Sequence, residues 1–387
     1  MNNTQKTIAI DIRLLGKERT GDETVFFHLT KEVLKLDRKN QYRLLTDETV
    51  MEKIASLSLR LECIGQENVS IVSLPVANRF VWNIFVLPKY LFRNKIDIFH
   101  TQYILPLFSP KWTKMVTHIH DVSFRRYPEL IGWLDRLFLM LLIPRSLARA
   151  TLIVTPSQFT KQEIIKYYAV HEEKITVVQN ALGENFFKDA AEDTEKDRVV
   201  REKYHLPEDF IIAAGTLQPR KNIPLLVSAF ASLRKRLPKM NLVLVGNRHA
   251  HHADSQIDRT IARENLGETV IFPGFVKESD LPTVIRLAQV FVLPSLYEGF
   301  GIPLLEAMSQ RVPVVASDIP GLREVGGEAV AYFDPKSIVS CEERVYTLCT
   351  QEEERMALIK HGEERVRLFS WQKSAHLLLN AYNKILQ

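Results

Sequence analysis

Two carboxylates eight positions apart, Glu298 and Glu306, frame the segment of this chain with the most chemical content: Ser295-Leu296-Tyr297-Glu298-Gly299-Phe300-Gly301-Ile302-Pro303-Leu304-Leu305-Glu306-Ala307-Met308. Two glycines and a proline stand between them, and an apolar run follows. The preceding Val290-Phe291-Val292-Leu293 is β-prone. Pro303 suits the first position of a helix, where a missing N–H costs nothing. The segment therefore predicts strand, loop, helix, with Glu298 in the loop and Glu306 about one turn inside the helix. A helix start offers free N–H groups and the positive end of a dipole, a ready anion site. Both carboxylates can accept hydrogen bonds from hydroxyls. Two such acids around an anion site suit a sugar nucleotide, with pyrophosphate in the middle and ribose and sugar on either side. Taken alone, the pair equally suits a plain strand-to-helix turn with two solvated acids.

Other segments add to this chemistry. In Ala213-Ala214-Gly215-Thr216-Leu217-Gln218-Pro219-Arg220-Lys221-Asn222-Ile223, Gly215 permits a close turn, and Arg220 and Lys221 set two cations at a strand end. A departing nucleoside diphosphate gains negative charge, which fixed cations stabilise. Val116-Thr117-His118-Ile119-His120-Asp121 ends another strand, bringing His120 and Asp121 to its tip, while His118 sits earlier and reads as structural. Gly274, in Phe272-Pro273-Gly274-Phe275-Val276-Lys277, lets backbone approach a planar base. In Gly16-Lys17-Glu18-Arg19-Thr20-Gly21-Asp22-Glu23-Thr24, the acids Asp22 and Glu23 suit a helix start and read first as capping residues, with an acceptor contact by Asp22 as the alternative. No cluster of three well-spaced metal ligands and no D-x-D is evident, so neither a metal nor a cofactor is expected.

The elements that must position these residues alternate in type. Ile8–Ile12, Val69–Leu74, Ile96–Phe99, Met115–His118, Leu152–Thr155 and the short Val177-Val178 read as strands. Helical patterns lie between most of them, including Glu23–Leu36 and a helix that Ser157 caps. Such alternation argues a parallel, doubly wound sheet. The charged stretch 183–197 lacks an apolar period and reads as a linker. Beyond it the alternation restarts with Phe210–Ala213, Leu242–Val245, Val270–Phe272, Val290–Leu293 and Val312–Ala316. The end of the chain, from Ser370, is one amphipathic helix. The expected domains are 1–185, 186–369 and a terminal helix over 370–387. In open α/β sheets ligands bind outside the carboxyl ends of strands, which is where all these loops fall.

Composition narrows the class. A chain of 387 residues, 46% hydrophobic and 25% charged, suits two globular domains. No secretory signal or transmembrane run is seen; the longest apolar stretch, Leu137–Ile143, is too short. Cys63, Cys341 and Cys349 read as reduced thiols of a cytoplasmic protein. The net charge of +5 is uneven: residues 71–170 hold 13 basic and 5 acidic side chains, whereas residues 191–387 hold 25 and 26. By charge alone, nucleic acid, a membrane surface and an anionic acceptor all fit the first half.

The Glu298–Glu306 string, followed by Arg311-Val312-Pro313-Val314-Val315-Ala316-Ser317-Asp318-Ile319-Pro320-Gly321, resembles the nucleotide-sugar site of the retaining glycosyltransferases of family 4. The resemblance spans nearly the whole chain and is strongest over 205–335. It implies the GT-B fold: two doubly wound Rossmann-like domains facing across a cleft, with the C-terminal helix returning to the N-terminal domain. It implies donor contacts by Gly215, Thr216, Arg220, Lys221, Gly274, Phe275, Val276, Glu298, Gly299, Phe300, Gly301, Ile302 and Glu306. It gives Glu306 the ribose, Glu298 the sugar hydroxyls, and Arg220 and Lys221 the pyrophosphate. His120, Lys221, Arg220 and Glu298 become the catalytic residues; Gly21, Asp22 and Asp121 fall to the acceptor. Many members carry an arginine directly after the glycine where this chain has Thr216, and G-I-G-R-Y where it has Asp22 and Glu23. The P-R-K-N subtype resembles bacterial mannosyltransferases of O-antigen and capsule assembly. That makes GDP-mannose, or a UDP-linked sugar, the donor and a glycan or lipid-linked molecule the acceptor. It implies no nucleic acid partner. The basic balance over 71–170, together with the apolar and aromatic stretch Trp133–Ile143, suits a cytoplasmic protein that meets the inner face of an anionic plasma membrane; equally, Leu137–Ile143 suits a core helix with the charges merely solvated. Two rival readings are a sugar-nucleotide epimerase on the same fold and an inactive sugar-nucleotide-binding scaffold.

Overall fold

A computed structural model describes residues 5–16, 21–76, 78–128, 132–188, 194–248, 250 and 253–387. The chain divides into two units, Met1–Asn180 with Ser370–Gln387, and Ala181–Phe369.

The first unit is built on β1 (Thr7–Asp11), β2 (Gln41–Thr46), β3 (Val69–Ser73), β4 (Ile98–Gln102), β5 (Lys114–His118), β6 (Leu152–Thr155) and β7 (Ile175–Val177). They form one sheet in the order β3-β2-β1-β4-β5-β6-β7, with every pairing parallel. Parallel strands need covered faces, and β4 and β6 are accordingly buried along their whole length. Trp82, Phe99, Met115 and Ile153 share a core with Ile143 and Leu147 of the helix Trp133–Arg149. The last helix, Trp371–Leu386, packs on Asp22–Leu36 of this unit. Trp371 stacks on His28, with ring centroids 5.6 Å apart, and Tyr382 Oη lies 2.5 Å from His100 Nδ1. Of the loop between Gly16 and Gly21, residues 17–20 lie outside the described residues.

The second unit repeats the plan with β8 (Phe210–Ala214), β9 (Asn241–Val245), β10 (Val270–Ile271), β11 (Val290–Leu293), β12 (Val314–Ser317) and β13 (Val330–Phe333), in the order β10-β9-β8-β11-β12-β13. The pairings are again parallel. Its core joins Leu242, Leu244, Val290 and Val292 to Leu226 and Phe230 of the helix Ile223–Arg236.

Strand β2 and strand β13 go beyond the strands expected from sequence. In β2 the apolar run is broken by Arg43, whose half-buried head bonds Asn94 and Tyr90, while Tyr42, Leu44 and Leu45 go inward. The stretch read as a linker carries a helical turn, Asn185–Lys188, and the start of a helix, Thr194–Lys203; residues 189–193 between them lie outside the described residues. The second helix has no apolar stripe to announce it. Arg198 pairs with Glu195 and Glu202 one turn away on either side, and Asp197 takes both terminal nitrogens of Arg286.

Candidate active site

In the second sheet β8 and β11 are neighbours, and the chain leaves them toward opposite edges. Their carboxyl ends therefore flank a switch point, where an open α/β sheet leaves a crevice. The two loops that start there carry the expected residues. After β8 the backbone turns at Gly215, whose φ of +141° favours glycine, and a short helical turn, Pro219–Lys221, follows. After β11 comes the run from Ser295 to Gly301. Leu296 N donates to Arg220 O at 2.8 Å, so the loops are stitched together through backbone.

Glu298 is the hub of this cluster. Lys221 Nζ lies 2.5 Å from its Oε1, Ser295 Oγ donates to the same oxygen at 2.7 Å, and Arg220 Nη1 donates to Oε2 at 3.1 Å. Glu298 and Lys221 are only 6% and 8% exposed. Burial pushes the Glu298 carboxyl up, but the Lys221 and Arg220 charges and the Lys221 and Ser295 hydrogen bonds outweigh it and hold it at about 2. Two cations thus converge on one carboxylate, Lys221 and Glu298 buried and Arg220 partly so, an arrangement that sets fixed positive charge where an anion can meet it.

The helix Ile302–Ser309 starts four residues beyond this hub. Pro303 is its second residue rather than its first. Gly301 caps it with φ +100°, a backbone that favours glycine, and a Cβ there would meet Leu322 Cδ2 at 2.5 Å, so that side chain would have to shift. Glu306 lies in the second turn, partly buried. Burial pushes its carboxyl up to about 7; the Lys221 charge opposes that and the Glu278 carboxylate adds to it. Lys221 thus acts on both acids. Glu278 follows Gly274, Phe275 and Val276, so the loop after β10 comes within electrostatic reach of Glu306. Gly274 has φ +75° and Phe275 is 81% exposed. Thr216 and Ile302 are partly buried, while Gly299 and Phe300 are buried.

In the first unit, His120 lies two residues past β5, 6% exposed. Its Nε2 is 2.8 Å from Gln102 Oε1, at the end of the adjacent β4. Its ring stacks on His118 at 4.4 Å, and His118 stacks on His100 at 6.0 Å. Burial keeps His100 down at about 3 and His118 well below the ordinary histidine value, so both are neutral. Asp121 accepts from Ser123 N and Ser123 Oγ, two residues on, in the turn that leads into the helix Ser123–Arg126. Asp22 is exposed at the first position of its helix. Its neighbour Glu23 accepts from Gly16 N at 2.6 Å. Gly21 precedes that helix with φ +27°.

Arg220, Lys221, Glu298 and Glu306 are thus brought together within one unit, with the Gly274–Val276 loop on the Glu306 side. His120 and Asp121 belong to the other unit and are described there. Sequence reasoning missed Ser295, Glu278, Gln102 and His100. Ser295 stood inside the informative run, three residues before Glu298, and that spacing across a loop was the available signal. The others become partners only through strand order. Among the described residues, no group of three or more His, Cys, Asp or Glu side chains is arranged to hold a metal ion. None of the described helices is long and apolar enough to cross a membrane.

One further surface belongs to the first unit. Phe80 meets Phe138 edge-on at 5.2 Å, Phe92 meets Trp112 at 6.3 Å, and Leu107 N donates to Asn83 O. These contacts join the helical segment Arg79–Arg93, the loop 103–113 and the helix Trp133–Arg149 along one face. Phe85, Phe92, Phe108, Trp112, Leu137 and Leu141 are each more than half exposed on these elements. Lys89, Arg93, Lys111 and Arg136 are exposed among them.

Comparison with known proteins gives a consistent family. Residues 21–183 match the model of Glycosyltransferase Family 4, and residues 194–365 that of Glycosyl transferases group 1. The O-antigen chain mannosyltransferase B of Escherichia coli is 31% identical over 275 residues, covering 70% of each chain. The serotype-specific mannosyltransferase WbdA of Escherichia coli is 31% identical over 242 residues, 62% of this chain; the match spans only 29% of that longer protein. Among solved structures, Anabaena HepE in complex with UDP and glucose superposes with a TM-score of 0.73 at 16% identity, covering 98% of this chain and 100% of that one. At that identity the likeness shows the fold, GT-B.

Proposed function

Because the chain belongs to family 4 of the glycosyltransferases, we propose that it moves a sugar from a nucleotide donor to a glycan or lipid-linked acceptor, with retention of anomeric configuration. The observation that carries this reading is the convergence of two cations, Arg220 and Lys221, on the buried Glu298 beside the start of the helix Ile302–Ser309. A diphosphate placed there meets two cations and free helix N–H groups, and stabilisation grows as the leaving group gains charge. A carboxylate has about four acceptor sites. The protein bonds of Glu298 take three, and we assign the remaining capacity, on Oε2, to a sugar hydroxyl. Glu306, with the Gly274–Val276 loop on its side, is assigned the ribose, and the loop backbone the base. His120 is assigned to the transferred sugar, and Gly21, Asp22 and Asp121 to the acceptor. Neither glutamate serves as a nucleophile; the diphosphate departs and the acceptor attacks from the same face.

The named activities of the two Escherichia coli relatives make mannose from GDP-mannose the first choice of donor and a cell-surface polysaccharide the product. UDP-linked sugars are the second choice. We place the protein in the cytoplasm at an anionic membrane, with the aromatic and basic face around Phe85, Trp112 and Leu141 as the contact. The test is incubation with a panel of nucleotide sugars, with and without lipid extract, following nucleoside diphosphate release and new glycan. Acceptor-dependent release supports transfer. Free sugar or epimerised product without acceptor supports the epimerase reading, and no turnover the scaffold reading. A parallel arm with chelator tests the metal-free part, which turnover lost there and restored by magnesium or manganese overturns.

A further inference from the structure

His120 is held from three sides. Its ring plane is fixed between His118, stacked at 4.4 Å, and Tyr103, whose ring lies 5.6 Å away at a 55° tilt. Tyr103 itself adopts φ +56°, an uncommon backbone for an aromatic residue, in a turn held at three points. Tyr103 N donates to His118 O, Thr117 Oγ1 donates to Tyr103 O, and Ile104 N donates to Gln102 O. That turn sets Gln102, itself buried, opposite the third edge of the imidazole, with Oε1 2.8 Å from Nε2. An amide oxygen only accepts, so the imidazole must donate there. In a ring that carries one proton the other nitrogen, Nδ1, is then a bare lone pair. It is buried and finds no hydrogen-bond partner in the protein. Buried polar atoms without partners are few and call for a ligand, water or a functional reason.

We propose that Gln102 is a positioning residue: it holds His120 as the Nε2–H tautomer, so that Nδ1 stands ready to accept a hydrogen bond from a hydroxyl of the transferred sugar. The second clause rests on the glycosyltransferase reading; the first does not. A ring free to flip or exchange tautomers would offer a donor and an acceptor in turn and would align the sugar only part of the time. No proton moves between Gln102 and His120 in this scheme.

The tautomer is read directly by two-bond proton–nitrogen correlation spectra of the full-length protein labelled with nitrogen-15 histidine. The His120 signals are identified by their loss in His120→Asn. The wild type should show a ring protonated on Nε2 and not on Nδ1, with no donor present. Gln102→Leu, which keeps bulk and removes the acceptor, should lose that single pattern, and Gln102→Glu, which can only accept, should keep it. Kinetically, Gln102→Leu should lower kcat about tenfold, the scale of one hydrogen bond, with KM for the nucleotide sugar within about twofold; Gln102→Glu should restore most of the loss. Circular dichroism and melting of both variants check folding, and the wild-type spectrum stands even if Gln102→Leu does not fold. A wild-type ring protonated on Nδ1 overturns the proposal. So does a Gln102→Leu protein with unchanged tautomer, and a changed tautomer with unchanged kcat overturns its catalytic half. Because the spectra need no substrate, a wrong donor assignment fails in the turnover assay and leaves the tautomer result intact.

Discussion

The two sheets share a strand order, apart from the extra edge strand β7 of the first, and carry opposite electrostatics. In the C-terminal unit the carboxyl ends of β8 and β11 hold buried charge, two cations on one carboxylate with a second carboxyl nearby. Outside, that half of the chain is close to neutral. In the N-terminal unit the carboxyl ends of β4 and β5 hold stacked histidines, two of which burial keeps uncharged, while the cations lie outside among exposed aromatic residues. Buried charge survives only with partners. The C-terminal arrangement is thus built to receive a charged ligand in a fixed place. The N-terminal one suits neutral hydroxyl groups inside and a charged surface outside.

The largest effect should come from removing charge where it is buried. Lys221→Ala should reduce turnover roughly 10²–10³-fold, the scale for one preorganised charge-stabilising donor. Near-normal steady-state turnover in a folded Lys221→Ala protein would take Lys221 out of the site and erase the contrast between the two units.

The two glutamates should separate next. Glu298→Ala removes the carboxylate that buried Lys221 contacts, and breaking such a pair costs about 3–5 kcal/mol, so its unfolding midpoint should drop clearly. It should also slow chemistry more than it weakens nucleotide binding, since the sugar changes in the reaction. Glu306→Ala should do the reverse, because ribose hydroxyls do not change. Calorimetry with free nucleoside diphosphate decides: affinity lost in Glu298→Ala and kept in Glu306→Ala reverses the assignment.

A smaller effect should appear with pH, and the two acids have opposite signs. Glu298 sits at about 2 against an ordinary 4.5, so between these values the unfolded chain holds more protons than the folded one. Its contribution to stability is complete above about 4.5 and is lost as pH falls toward 2. Glu306 sits at about 7, so between 4.5 and 7 the folded protein holds the extra proton, and stability declines as pH rises through that window. The ionised form is the better acceptor for two hydroxyls, so nucleoside diphosphate affinity should rise through pH 7. Glu306→Gln should remove both the stability slope and its share of the affinity rise. If the variant matches the wild type in both slopes from pH 5 to 8, Glu306 is not the titrating group.

How much of this could be read from sequence follows the same division. Glu298, Glu306, Arg220 and Lys221 were legible because each lies in a local string, strand then loop then helix, whose glycines and prolines mark its geometry. Their mutual pairing was not legible: Lys221 and Glu298 are 77 positions apart and meet only because β8 and β11 are neighbours. The histidine stack shows the limit more sharply. His118 and His120 were visible as a pair at one strand end. His100 and Gln102 come from the next strand, and Tyr382 from the last helix, so nothing in their own segments announces them. The helix Thr194–Lys203 was missed because its order rests on ion pairs rather than an apolar stripe.

The smallest expected effect concerns the outer face of the N-terminal unit. Its aromatic side chains are exposed in numbers that isolated surface residues do not explain, and cations stand among them. Aromatic rings favour the headgroup level of a bilayer. A basic residue near an anionic surface contributes about 1 kcal/mol, falling off within a Debye length. A handful of such contacts should hold the protein reversibly and loosen in salt. Sedimentation with liposomes should show binding to anionic vesicles that falls steeply as salt rises. Trp112→Ser with Phe85→Ser should weaken the part that salt does not remove, and Lys89→Glu with Lys111→Glu the part that it does. The same cations bring no such salt response if the face merely meets water. Equal partitioning to neutral and anionic vesicles, or none to either at low salt, would remove the membrane from the reading and leave a soluble acceptor.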